Sequence, residues 1–413
     1  TTGALDEAER LNQSAATVNK GSDLEMKAAL LLNQAAIAEH RGQHEIAVNT
    51  YLKAISASKD NPSLEWSAHA ALASIYAGKG YPIGDHENLA QLHFESALRT
   101  IEASRAEQLQ SKYKITFLSR LIRFYQEYVA FLVREGDTAE ALEVADSSRA
   151  SVLTQDITGL NGRKNYNLIP RIQNEARRSR TTFLFYLLAP GQSYLWIVTG
   201  RELKIAFLPD EQEIAQQVRS YRYLMEEEKV DPLSSSSALP SRLFQSLVGP
   251  ALSSISLDGS VMIVPDGVLH GLNFETLVVK TPVPHYWIQD VTLSIAPSLN
   301  ILTLPERNKN PKRSSLLLIG DPQSANADFP QLPNARTEME QVSSHFPKDE
   351  TSMVRGAAAV PAAYIASQPR RFSTVHIAAH AETNERSPLD SAIILSPQAD
   401  GYRLYAREIM GTP

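Results

Sequence analysis

Two histidines stand four residues apart in Phe372-Ser-Thr-Val-His376-Ile-Ala-Ala-His380-Ala-Glu382. Imidazoles at that spacing suggest two chemistries. On a helix, residues i and i+4 share a face and could ligate one zinc. The metalloprotease form of that pattern needs a glutamate directly after the first histidine, where this chain has Ile377. The flanking Val375, Ile377, Ala378 and Ala379 read instead as a buried strand. On a strand rising ~3.3 Å per residue the two residues would stand ~13 Å apart, whereas the ligands of one zinc each sit within ~2.1 Å of it. The second chemistry is general acid–base catalysis by a single histidine. A strand over Ser373–Ala379 puts His380 at its carboxyl end, where open α/β sheets place their sites. It leaves His376 in the strand body as a hydrogen-bonded core residue. No metal and no cofactor is expected.

A histidine base needs a nucleophile. The 413 residues contain no cysteine, so disulfides, thiolate zinc sites and a cysteine nucleophile are excluded within them. No Gly-x-Ser-x-Gly elbow is present, which sets aside the usual serine-hydrolase arrangement. Composition excludes further classes. Forty Lys+Arg against 46 Asp+Glu give a net charge of −6, which argues against a general binder of nucleic acid or anionic membrane. The longest apolar run, Phe183–Ala189, falls far short of the roughly 20 residues that a membrane span needs. Thr1–Arg10 lacks a basic-then-apolar leader pattern. The expectation is a cytoplasmic protein without nucleic-acid or membrane contacts.

The elements that must position His380 follow from a change of composition near residue 160. Residues 1–160 hold only Pro62 and Pro82 of the 23 prolines and carry all of the net −6. Few prolines and many alanines predict helix. Small and aromatic residues recur there in one register: Gly42-x4-Ala47-x3-Tyr51-x2-Ala54, then Ala90-x3-Phe94-x2-Ala97, then Gly136-x4-Ala141-x3-Ala145-x2-Ser148. Spacings of four and three share one helix face, and the glycines suit turns between paired helices. The pattern is similar to tetratricopeptide (TPR) repeats, with longer units and an insertion over Gly78–His86. Beyond residue 180 the sequence predicts strands at Phe183–Ala189, Ser193–Thr199, Leu203–Leu208, Val261–Pro265, Val291–Ala296, Ser315–Gly320 and Ser373–Ala379. Helices are expected over Ala335–Phe346 and Val360–Ser367. Strand, helix, short strand, helix, strand predicts a doubly wound parallel arrangement. Glu226–Pro240 reads as a loop, Arg307–Arg313 as a basic linker, and Asp266-Gly267 as a tight turn.

Several segments together resemble the CHAT family, caspase-like cysteine proteases that commonly follow a TPR array. They are Ile263–Leu277 with Ala296-Pro-Ser298, Leu332-Pro-Asn-Ala-Arg-Thr-Glu338, Val375–His380, and Ser387-Pro-Leu-Asp-Ser-Ala-Ile-Ile-Leu395. The resemblance implies an α + α/β fold: a TPR-like helical array over 1–160, then a caspase-like α/β domain over 181–413 with a mostly parallel sheet. It implies a TPR-regulated cysteine endopeptidase that cleaves a protein substrate through a His–Cys dyad, with His380 as the histidine. The family usually has glycine after this histidine, where its amide helps bind the oxyanion; here the residue is Ala381. Asp390 falls in the region that borders the substrate cleft in relatives. A protein or peptide regulator is expected on the helical surface.

The missing cysteine fits this resemblance only if the nucleophile lies outside the chain. A hairpin over Ala392–Leu395 and Tyr402–Tyr405 and a helix from Ala406 lead, in the resembled family, to the strand that ends in the nucleophile. By ordinary element and loop lengths the cysteine would fall near position ~430 of an extended chain. Its absence would leave an unpaired edge beside the His380 strand. The alternative is an inactive TPR/pseudoprotease scaffold that binds protein partners.

Overall fold

The computed structural model describes residues 2–19, 23–78, 86–109, 114–158, 167–256, 259–303, 314–384 and 387–412. The basic stretch Arg307–Arg313, residue 160, and all but the ends of the Gly78–His86 insertion lie outside them. The chain forms two compact units, Thr1–Leu304 and Pro305–Pro413.

Among the described residues, the first unit begins with eight helices: α1 (Thr2–Asn19), α2 (Leu24–His40), α3 (His44–Ala57), α4 (Pro62–Ala77), α5 (His86–Leu109), α6 (Lys114–Arg134), α7 (Thr138–Thr158) and α8 (Leu168–Ser179). Asp23 and Asn61 cap α2 and α4 by accepting from the amides of Met26 and Leu64, which satisfies donors that a helix start leaves open. Gly42 and Gly136 end α2 and α6 at φ of +73° and +86°, conformations that a side chain disfavours. Both turns then close in the same way, Gln43 and Asp137 donating back to Ala38 and Leu132 at 2.9 Å. Helices α2/α3, α4/α5 and α6/α7 pack as pairs. Ala47, Ala54, Ala90, Ala97, Ala141 and Ala145 are wholly buried, with Tyr51 and Phe94 buried among them. Small side chains let neighbouring helices approach, while the rings fill the space between; Phe94 stacks on Tyr128 of α6 at 4.7 Å.

The same unit continues with β1 (Thr181–Leu187), β2 (Ser193–Val198), β3 (Leu203–Leu208), α9 (Glu211–Glu226), α10 (Leu239–Leu247), β4 (Ser260–Val264), the short pair β5 (Val278–Val279) and β6 (His285–Tyr286), β7 (Thr292–Ile295) and α11 (Leu299–Leu302). Between α9 and α10 the expected loop is present, tied by Asp231, which accepts from Leu233 and from the Tyr286 hydroxyl. The main sheet runs β3-β2-β1-β4-β7. Its two faces bury different neighbours, as period-two alternation requires. Phe183, Phe185, Tyr194 and Trp196 face the helical core, whereas Leu184, Tyr186, Leu195 and Ile197 pack on α9 and α10. The expectation of a mostly parallel sheet is corrected here. β1–β4 and β4–β7 are parallel, but β1–β2 and β2–β3 are antiparallel. The short connections before β2 and β3 are hairpins, and only a crossover of about a dozen residues or more permits parallel pairing.

One carboxylate joins helix to sheet. Asp146 of α7 is fully buried and accepts from the amides of Leu299 and Asn300 at 2.7 and 2.9 Å, the Ser298 hydroxyl at 3.0 Å and the Asn300 side chain at 2.7 Å. It thereby caps α11 just after β7. Burial pushes its carboxyl up from the ordinary carboxylate range, against the pull of these donors. Nearby, Arg149 pairs with Asp266 at 3.2 Å and donates to the Tyr186 carbonyl. Asp266 also receives the Leu188 amide at 2.7 Å, and Gly267 follows at φ +49°. The Asp266-Gly267 turn is a structural joint.

In the second unit, β8 (Leu316–Gly320), α12 (Ala335–Ser343), β9 (Thr351–Arg355), α13 (Pro361–Ala366) and β10 (Thr374–Ala378) build the predicted alternation. The strands are all parallel in the order β10-β8-β9, so the fully buried β8 lies in the middle and β10 at an edge. Then β11 (His380–Glu382), β12 (Ala392–Gln398) and β13 (Gly401–Tyr405) form a separate antiparallel sheet, followed by α14 (Ala406–Gly411). The single strand read over Ser373–Ala379 therefore stops one residue early, and His380 opens a new strand in a different sheet.

Candidate active site

Ala379 is the switch between the two sheets of the second unit. Two residues beyond the carboxyl end of β10, His380 pairs with Ile394, Ala381 with Ile393 and Glu382 with Ala392. This antiparallel register fixes the backbone of all three. The imidazole of His380 is half-buried. Its Nε2 lies 2.8 Å from the carbonyl oxygen of Pro330, and its ring rests 5.9 Å from that of Phe329, tilted by 54°. A carbonyl only accepts, so Nε2 carries the proton, and in the neutral ring Nδ1 keeps its lone pair. Nδ1 is thus the basic atom.

The carbonyl partner sits on the loop between β8 and α12, which is held at two places. On one side, Ser324 donates to the carbonyls of Asn326 and Phe329, and Asn326 caps the Asp328 and Phe329 amides. On the other, the Gln331 side chain donates to Asp321 at 3.2 Å and Arg336 donates to the same carboxylate at 3.1 Å. Asp321 is buried directly after β8 at φ +49°, a left-handed conformation uncommon for a residue with a side chain.

His376 is half-exposed rather than in the core. Its Nε2 meets Glu338 of α12 at 2.8 Å, so the strand-body reading holds for its place in the chain and fails for its burial. β10 is an edge strand and its outer residues keep solvent contact. Asp390 has its own set of partners. It receives the Ser387 hydroxyl at 2.5 Å and pairs with Arg407, whose guanidinium lies 3.9 Å from the centre of the Tyr405 ring. With Glu382, Thr383, Asn384, Arg403, Tyr405 and Arg407 it lines an open cleft of about 560 Å³. Glu382 bonds Arg403 across the sheet at 2.9 Å, and this holds the guanidinium above its ordinary pKa. The sequence-predicted residues therefore gather only in part. His380 and Ala381 share one strand with the cleft residue Glu382, but neither lines the cleft that contains Asp390.

Four residues of this neighbourhood escaped the sequence reading: Asp321, Pro330, Gln331 and the pairing role of Glu338. An acidic residue and a proline closing the apolar run Leu316–Gly320 were the available signal. Among the described residues no group of three or more His, Asp or Glu side chains could hold a metal ion. No described helix is long and apolar enough to cross a membrane.

Residues 233–412 match the CHAT domain family model, so this part of the chain is similar to the caspase-like protease family. The match spans parts of both compact units. No curated protein matches the chain.

Proposed function

We propose that this chain carries the histidine half of a cysteine-type endopeptidase site, with His380 as general base and acid. The observation that carries the reading is the Nε2–H bond to the Pro330 carbonyl, which leaves Nδ1 as the acceptor. Nδ1 takes the proton of a thiol, the thiolate attacks the peptide carbonyl, and the imidazolium returns that proton to the leaving amine. The 413 residues supply no thiol, so the cysteine must come from outside them, and this chain alone is inactive. An oxyanion role for the Ala381 amide and a cleft role for Asp390 belong to the same reading. The helical array binds a protein or peptide regulator, one with basic character given its net −6, and the protein acts in the cytoplasm.

The absence of cysteine also favours a second reading, an inactive scaffold that binds protein partners. One experiment separates them: peptide hydrolysis by this chain joined to its native downstream sequence, with and without His380→Ala. The protease reading expects turnover that falls about 10²- to 10⁴-fold in the variant. Turnover indifferent to His380, or none with the downstream sequence in place, rejects it.

A further inference from the structure

We infer that Asp321 is a positioning residue for His380, acting through Gln331 and the Pro330 carbonyl. The inference builds on the reading of His380 as the base. Asp321 touches both ends of the arrangement. Its amide donates to the Ala378 carbonyl at 3.1 Å, two residues before His380 on the chain that delivers the imidazole. Its carboxylate receives the Gln331 side chain at 3.2 Å, on the loop that delivers the carbonyl partner. The Pro330 carbonyl and the Gln331 amide belong to one rigid peptide plane. Anchoring the Gln331 side chain therefore limits rotation of the acceptor that His380 uses. Proline fixes φ at Pro330 itself, which removes another freedom from the loop.

Two further bonds brace Asp321. Its carbonyl receives the Gly356 amide at the end of β9 at 3.1 Å, Arg336 holds the second carboxylate oxygen at 3.1 Å, and the left-handed φ of +49° persists only because these contacts over-determine it. One residue thus ties together the carboxyl ends of β8, β9 and β10 and the loop that faces His380. The neighbouring pair His376–Glu338 has no bond to Asp321, and it serves as an internal reference within the same unit.

The test reads hydrogen exchange at the imidazole, which requires no turnover. In histidine-15N-labelled full chain, the Nε2–H signal of His380 is assigned by its loss in His380→Gln. Its solvent exchange is then compared in Gln331→Ala, Asp321→Ala and Asp321→Asn. Gln331 is exposed, so its truncation leaves the fold intact and decides the question if Asp321→Ala does not fold. Loss of the anchor should speed His380 exchange at least about fivefold, the factor that corresponds to one typical hydrogen bond. Asp321→Asn should stay near the native rate, because asparagine tolerates the left-handed conformation, its oxygen accepts from Arg336, and its NH2 donates to the Gln331 oxygen once that side-chain amide turns over. His376 should be unaffected by Gln331→Ala. Unchanged exchange at His380, or equal acceleration at His376 and His380 in Gln331→Ala, overturns the inference. An inactive extended chain would reject the protease reading without altering this result.

Discussion

The helical unit should lose stability in mild acid through one histidine pair. His69 of α4 and His93 of α5 face each other with Nδ1 atoms 2.8 Å apart, and Tyr76 stacks on His93 with ring centres 5.7 Å apart. In the neutral pair one Nδ1–H donates and the other Nδ1 accepts; protons on both would break the bond. Burial, followed by the charges of His93 and Arg99, pushes His69 down from 6.5 to about 4, and burial also lowers His93. The unfolded chain therefore takes up the proton first. The pair's contribution is complete above pH ~6.5 and is lost as pH falls from there toward the folded value near 4. At 1.36 kcal/mol per unit the shift at His69 corresponds to ~3 kcal/mol, which partial exposure reduces to roughly 1–2 kcal/mol. Thermal unfolding followed by helical circular dichroism at pH 7.5 and 4.5 measures it. In His69→Gln the difference between the two pH values should shrink by that amount, while stability at pH 7.5 falls by about 1 kcal/mol for the lost bond. An identical pH dependence in wild type and His69→Gln would refute the argument.

Asp146→Ala removes the acceptor that four buried donors share and should destabilise the first unit by about 3–5 kcal/mol, seen as a lower urea midpoint, with Asp146→Asn intermediate. Gly320→Ala places a Cβ 2.7 Å from the Ala378 carbonyl and 2.8 Å from its Cβ, so it should push β8 from β10 at a cost of ~1–3 kcal/mol. Gly42→Ala meets open space but keeps φ at +73°, and calorimetry should register a loss of about 1 kcal/mol from backbone strain alone.

The parts legible in the sequence were those written in local periodicity. The strand read over Ser315–Gly320 is present as Leu316–Gly320, an apolar run because both its faces are covered, and Gly42 and Gly136 announced helix turns that the structure contains. The helix over Ala335–Phe346 ends at Ser343, since its last residues turn through Ser344 and His345. What failed depended on pairing. Nothing local distinguishes Ala378 from Ala379, yet the chain changes sheets there, because Ala392–Gln398 offers an antiparallel partner to His380. The site behaved likewise. The place of His380 just past a buried strand was readable, but its contact with Pro330 spans 50 residues and leaves no periodic trace.

The shared sheet also determines where the molecule can be cut. Helical residues and residues 181–304 bury one another, with Phe185 and Trp196 on the helical side of the sheet. Backbone amides of α7 and β1 should therefore open in the same subglobal event and show matched slow exchange. Removing the helices at residue 160 or 180 would expose a row of aromatic side chains to solvent, and the remaining fragment would self-associate. A lower yield from such a truncation reports exposed interior surface. A test of the proposed regulator therefore uses point substitutions on the outer helical faces.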